Sequence, residues 1–345
     1  MLDLPPPIFQ LLELIKAGAN PDYPPRLKNV AHDVLLSTAR TQRLIPLLAA
    51  LLHNQRIDLP PDVAERVESE TTGQTAAAMV QENALLEMTA AMERGNLQFL
   101  LIKGAALAHT IYPDLYWRPY ADLDVLIKPE RFEAVAATLG TLGLKVAAHM
   151  NLPQRLKYFN AVEFRHADNP FFQVDLHWND VSASWSDRSV LTGEQVWANK
   201  REFEIGGRHI YTLSVPHTFI HLCVHWGYHH QFRTLISLLD LMLMLRRSEE
   251  LVPETVFPIA RACSCSRVVA LSMAVIQSIT GEDMEPWIDR HILPPTQQQR
   301  LLRMVEGHFR RGGLWRGRRL KALCLDSAQS RRRALGSFLA AKAGM

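Results

Sequence analysis

Arg118-Pro-Tyr-Ala-Asp122-Leu-Asp124-Val-Leu-Ile127 is the stretch that decides how this chain folds. Two carboxylates two residues apart stand at the mouth of an apolar run, where a β-strand begins. Along a strand, residues i and i+2 share a face. Asp122 and Asp124 therefore project together, while Leu123 and Val125 project oppositely. Adjacent carboxylates repel unless positive charge sits between them. Divalent cations are the commonest answer, and hard oxygen ligands suit Mg²⁺. A solvated turn ahead of a buried strand has the same pattern, since Asp is frequent in turns. The flanking sequence bears on the choice.

Upstream, Leu97-Gln-Phe-Leu-Leu-Ile102 is a short apolar run of β character, closed by Lys103-Gly104. Ala105–Ile111 follows as a helix and stops at the breaker Tyr112-Pro113-Asp114. A strand that turns through glycine into a helix gathers free backbone N–H groups and the positive end of the helix dipole at one spot. That spot suits a phosphate, and glycine lets a ligand approach the backbone closely. Many α/β turns carry glycine for packing alone. Downstream, Pro129–Gly140 has the pattern of an amphipathic helix, with Phe132, Val135, Ala136 and Leu139 on one side. Two β-like runs come next, Tyr158–His166 and Phe171–Trp178, joined by Ala167-Asp-Asn-Pro170, whose turn chemistry predicts an antiparallel hairpin. The second run sets Asp175 on one face with Gln173 and His177. A carboxylate in mid-strand is costly to bury unless it is paired or holds a metal. An edge strand with a wet face is the other reading.

The order is thus strand, Lys-Gly, helix, strand bearing Asp-x-Asp, helix, hairpin bearing a third Asp. This resembles the nucleotidyltransferase superfamily that includes DNA polymerase β. More narrowly, it is similar to a group of bacterial nucleotidyltransferases marked by a Lys-Gly turn, an Arg shortly before Asp-x-Asp, and a later lone Asp. Here these are Lys103-Gly104, Arg118, Asp122, Asp124 and Asp175, all within about residues 96–178. The resemblance implies an α+β fold: a polymerase-β-like core of mixed sheet and helices, flanked by mostly helical regions. It also implies transfer of a nucleoside monophosphate from an NTP such as ATP to a hydroxyl acceptor, with pyrophosphate released and two Mg²⁺ ions clamping the reacting oxygens. On that basis Asp122 and Asp124 share the ions, while Asp175 ligates the ion nearer the acceptor and takes its proton. Arg118 offers a bidentate fork to phosphate, or else a salt bridge that steadies the Asp122 loop. Lys103 contacts the triphosphate or caps its strand, and His177 supports Asp175 or lies on a wet face. One departure stands out. The superfamily's Gly-Ser turn is Gly104-Ala105 here, which removes a hydroxyl from the phosphate contact. A catalytically degenerate nucleotide-binding or assembly module is the alternative that this substitution raises.

The chain has 345 residues, 48% of them apolar, and a formal charge of +3. Three regions are expected: a helical N-terminal region over 1–95, the nucleotidyltransferase core over 96–180, and a mostly helical domain with a basic tail over 181–345. Met1-Leu-Asp-Leu-Pro-Pro-Pro7 lacks the basic-then-apolar layout of a signal peptide. No run of eighteen apolar residues predicts a membrane span. Cysteines at 223, 263, 265 and 324 have no disulfide or zinc spacing. A cytoplasmic protein is expected.

Two features lie outside the core motif. His217, His221, His225 and His229 recur every four residues, with His230 beside them, which predicts one helical face carrying imidazoles. With Asp240 on the following Leu-rich helix, His225 is a candidate for packing, for facing the active site, or for metal. Arg233 pairs with Asp240 or reaches the cleft. From residue 300 onward, twelve Lys or Arg stand against Glu306 and Asp326. Such a tail suits RNA or peptide contact, or a solvated helical face. The acceptor, whether small molecule, peptide, protein or RNA, is not legible.

Overall fold

The computed structural model describes residues 4–27, 31–153, 156, 159–179, 193–311, 314–328 and 330–332; for 311 and 314–316 only the backbone is described. Tyr158 of the expected hairpin and the basic residues Arg333 and Lys342 lie outside these residues. The chain divides into two compact units, residues 68–218 and residues 1–67 with 219–345.

The first unit is built on a mixed seven-stranded sheet: β1 (Leu100–Ile102), β2 (Leu123–Leu126), β3 (Leu144–Val146), β4 (Ala161–His166), β5 (Gln173–His177), β6 (Arg201–Ile205) and β7 (Arg208–Thr212). Their spatial order is β3-β4-β5-β2-β1-β7-β6. The β4–β5 hairpin is antiparallel, as its turn chemistry predicts. So is β6–β7, which turns through Gly206-Gly207 with positive φ at both. β2 runs parallel to β5 and antiparallel to β1.

Period-two alternation sorts the strand residues. Leu101, Leu123, Val125, Val174 and Leu176 enter the main core with Val162 and Phe164 of β4. Leu85, Met88 and Met92, at successive turns of the long helix Pro61–Arg94, pack against it. Phe132, Val135 and Leu139 bury the expected face of the helix Phe132–Thr141. The alternate residues Leu100, Ile102 and Leu126 belong to a smaller apolar cluster with Val196 and Leu213. The acids therefore sit on the side of the sheet opposite the larger core, where apolar cover is thinner. Taken as a whole, this is an α+β fold with a mixed sheet.

The second unit is helical. Its first helix, Pro6–Ala19, packs on Leu235–Arg247 and Ser266–Thr280. The Gln42 side-chain oxygen accepts the first amide of Leu235–Arg247 at 2.8 Å. Asp326 caps Ser266–Thr280 by accepting the amides of Ser266 and Arg267 at 2.9 and 2.7 Å. The histidine pattern departs from a continuous α-helix: Val215–Val224 gives way to a π-helical turn, His225–His229. Inserting one residue per turn lets residues five apart meet, so His225 Nε2 comes within 2.9 Å of His230 Nε2, while the His229 ring stacks on His225. Asp240, 1% exposed, is buried in its helix. Arg331 of the basic tail donates to the carbonyls of Leu325 and Asp326, a local structural tie. Among the described residues, no helix is long and apolar enough to cross a membrane.

Candidate active site

Strand pairing assembles the acids. Asp124 of β2 stands opposite Asp175 of β5 and, on its other side, opposite Ile102 of β1. Lys103 follows Ile102 directly, so the end of β1 delivers an ammonium to the Asp124 carboxylate. His177, two residues beyond Asp175, falls on the same face. One oxygen is the focus: Lys103 Nζ lies 2.6 Å from Asp124 Oδ1, and His177 Nε2 lies 2.8 Å from the same atom. Lys103 Nζ and His177 Nε2 are 3.3 Å apart.

Ligand atoms of Asp124, Asp175 and His177 all lie within 4.8 Å of one another, and they form the single such His/Cys/Asp/Glu group of three or more among the described residues. Asp122 precedes β2, is partly buried and is not in the group; its negative charge is felt at Asp175. The histidines around the π-turn form no such group. His225 and Asp240 belong to the helical unit.

The two paired carboxyls have opposite electrostatics. Burial alone would raise the Asp124 pKa, but the Lys103 charge and the His177 hydrogen bond overcome it and hold Asp124 far below the usual carboxylate range. Asp175 is pushed up to about 7, first by burial, then by the charges of Asp124 and Asp122, with Glu163 adding to them. Glu163 faces Asp175 from β4 and pairs with Arg165. Neighbouring carboxyls driven apart in this way are a recurring mark of functional sites.

The Lys-Gly turn is shaped by contact. Lys103 has φ +54, a left-handed conformation that costs a non-glycine residue about 1–2 kcal/mol. A Cβ on Gly104 would lie 2.8 Å from Tyr120 Cβ and 3.4 Å from Arg118 Nη1. Glycine is thus needed for Arg118-Pro-Tyr120 to cross the start of the helix Lys103–Thr110. Arg118, 8% exposed, donates from Nη1 to the Pro119 carbonyl at 2.7 Å. Ala105 is packed in the main core, so a hydroxyl there would meet apolar neighbours.

A family model described as uncharacterised nucleotidyltransferase matches residues 28–281. The chain belongs to this nucleotidyltransferase family. The match takes in the whole Lys103–His177 constellation and continues through the histidine-bearing helix and Asp240. No curated protein matches the chain. Among solved structures, ANT(2″)-Ia in complex with adenylyl-2″-tobramycin is 15% identical, covering 53% of this chain and 96% of that one at a TM-score of 0.37. The lincomycin-bound lincosamide antibiotic adenylyltransferase LnuA is 18% identical, covering 47% and 95% at a TM-score of 0.33.

Asp124, Asp175 and Lys103, singled out in the sequence, are brought together by the structure; His177 was left there as a supporting or wet residue. His177 is 5% exposed and touches Asp124. Alternation along β5 carried that signal, because it aligned His177 with Asp175. Glu163 was missed; only the β4–β5 register reveals it.

Proposed function

We propose that this family member transfers a nucleoside monophosphate from an NTP to an acceptor hydroxyl, with help from a divalent cation. The observation that carries the reading is the convergence of Asp124, Asp175 and His177 beside the Lys103-Gly104 turn. The donor set fits a divalent ion: an ionised buried carboxylate, a second carboxylate and an imidazole, all mutually close. Oxygen ligands suit Mg²⁺, while an imidazole is better accepted by Mn²⁺ or Zn²⁺. When bound, such an ion polarises phosphoryl oxygens and neutralises the charge that develops in displacement. In the two-ion arrangement implied by the resemblance, Asp122 would join Asp124 in sharing the ions.

The chain's own groups do the rest. Amides at the start of the helix Lys103–Thr110, together with the Lys103 ammonium and the Arg118 guanidinium, receive phosphate oxygens. Asp175 accepts the acceptor's hydroxyl proton, as a carboxylate within hydrogen-bond reach of the attacking oxygen. A bond forms between acceptor oxygen and α-phosphorus, and the bond to pyrophosphate breaks. Pyrophosphate leaves with the electron pair.

The test uses α-³²P-labelled NTPs with Mg²⁺ or Mn²⁺ and a cell extract as the source of acceptor. A labelled species should appear with the native chain and vanish with Asp124→Ala and with Asp175→Ala. Equal labelling by all three proteins would remove the assignment.

A non-catalytic nucleotide-binding module is the second reading, favoured by Ala105 in place of a hydroxyl-bearing residue. It predicts that calorimetry detects NTP binding while labelling fails with every acceptor source.

A further inference from the structure

The cation beside the acids in this structure is part of the chain itself. We propose that Lys103 and a divalent ion compete for Asp124 Oδ1, so that Lys103 sets the metal affinity of the site and leaves Asp124 when metal binds. This rests on the metal-assisted reading above and goes beyond it by assigning Lys103 a control over loading.

The geometry supplies the argument. Lys103 Nζ is 2.6 Å from Asp124 Oδ1 and 3.3 Å from His177 Nε2, and those two atoms are themselves 2.8 Å apart. The ammonium therefore contacts two of the three ligand atoms that would hold a cation. His177 Nε2 can donate a proton to Asp124 or accept one from Lys103, never both. Ligation asks for something different from either: a bare lone pair on Nε2 and another on Oδ1. The Lys103 N–H directed at Oδ1 occupies one of that oxygen's lone pairs and sets a positive charge where the ion would approach. Asp124 is buried, and Lys103 is largely so, so water screens little of the repulsion between an ammonium and a dication a few ångströms away.

Lys103 also has somewhere to go. It is the first residue of the helix Lys103–Thr110, next to Gly104, over which Arg118 passes. Its flexible four-carbon stem, rooted at that helix start, lets the ammonium swing from Asp124 toward phosphate oxygens bound there, where the dipole favours negative charge. A triphosphate thus offers the displaced ammonium a partner, and the carboxylate oxygen it vacates becomes available to the ion. Lys103 then acts as a positioning residue whose charge has two alternative counter-ions.

The test is Mn²⁺ binding to the full chain without nucleotide, read from the electron paramagnetic resonance signal of free Mn²⁺. Lys103→Met should bind Mn²⁺ at least tenfold more tightly than the native protein. Lys103→Gln, which keeps a neutral N–H for Asp124, should also tighten binding; it keeps the test open should the methionine variant fail to fold. Lys103→Arg keeps the charge and should stay near the native value. Adding Asp124→Asn to Lys103→Met should abolish the gain, and the rise in melting temperature caused by Mn²⁺ should be larger in Lys103→Met than in the native chain. Equal affinity in the native, Met and Gln proteins overturns the competition and leaves the metal-assisted reading standing. Weaker binding in both variants also overturns it, by making Lys103 a structural support of the site. Mn²⁺ bound by none of the proteins overturns both claims together.

Discussion

Asp124 and Asp175 stand directly opposite each other on the parallel strands β2 and β5, yet one carboxyl is held strongly acidic and the other is raised to about 7. The difference lies in their neighbours. Asp124 has the Lys103 ammonium and the His177 imidazole against one oxygen, whereas Asp175 faces other acids. A pair arranged in this way holds one fixed negative charge and one exchangeable proton.

Asp124→Asn tests the fixed charge. The amide is nearly isosteric, but it leaves the Lys103 ammonium without its counter-charge in a largely buried setting. Removing one partner of a buried pair costs on the order of 3 kcal/mol. Urea denaturation should show a loss of that size, and nucleotidyl labelling should fall below detection. A variant as stable and as active as the native chain would contradict the role given to this carboxylate.

Asp175 makes a pH prediction whose sign can be worked out. Its folded pKa lies above the ordinary carboxylate value near 4. Between about 4 and 7 the folded chain therefore binds more protons at this site than the unfolded chain does. The contribution of Asp175 to stability is fully present below that window and is lost as pH rises through 7. Asp175→Asn, which cannot ionise, should be more stable relative to the native chain at pH 8 than at pH 5, as read from melting temperatures. A constant difference between the two proteins across this range would refute the raised pKa.

How far the sequence reaches is clear from these residues. Alternation along Phe171–Trp178 correctly put Asp175 and His177 on one face, and Ala167-Asp-Asn-Pro170 marked the hairpin, because both signals are local. The partner strand of Asp175 is not local: the parallel pairing of β2 with β5 joins residues about fifty apart, and nothing in either segment names the other. For the same reason the convergence of Lys103 and His177 on Asp124 could not be seen beforehand, while the approach of Glu163 depends on the register of the β4–β5 hairpin, which the turn residues alone did not fix. The π-turn at His225–His229 escaped for another reason. It adds one residue to a helical turn, whereas a four-residue histidine repeat suggests an unbroken α-helix.

Gly104→Ala probes the turn. The added methyl would sit 2.8 Å from Tyr120 Cβ, an atom fixed to its own backbone, so the Arg118–Tyr120 segment must shift. Overpacking of this kind costs about 1–3 kcal/mol. Because Arg118 moves with that segment, nucleotide binding measured by calorimetry should weaken together with the fall in melting temperature. Unchanged binding in a destabilised variant would make Arg118 a structural residue only.

Asp326→Ala separates folding from chemistry. The carboxylate accepts two amides at the start of Ser266–Thr280, and removing a helix cap costs about 1–2 kcal/mol. Chemical denaturation should register that loss. The rate of labelling per folded molecule should stay at the native level, since no group in the proposed transfer comes from this helix.

His177 decides which ion the site prefers. The imidazole supplies a nitrogen to a set that is otherwise oxygen, and nitrogen ligands favour Mn²⁺ or Zn²⁺ over Mg²⁺. His177→Gln replaces it with a neutral side chain of similar reach whose ligating atom is oxygen, and Asp124 keeps a hydrogen-bond donor. Mn²⁺ affinity should drop by about tenfold or more, whereas Mg²⁺ affinity, weak in both proteins, should change little. The ratio of labelling rates in Mn²⁺ and Mg²⁺ should move the same way. If the imidazole only braces Asp124, both metals should lose affinity by the same factor and the ratio should not move. Measuring both ions on both proteins therefore tells a ligand from a brace.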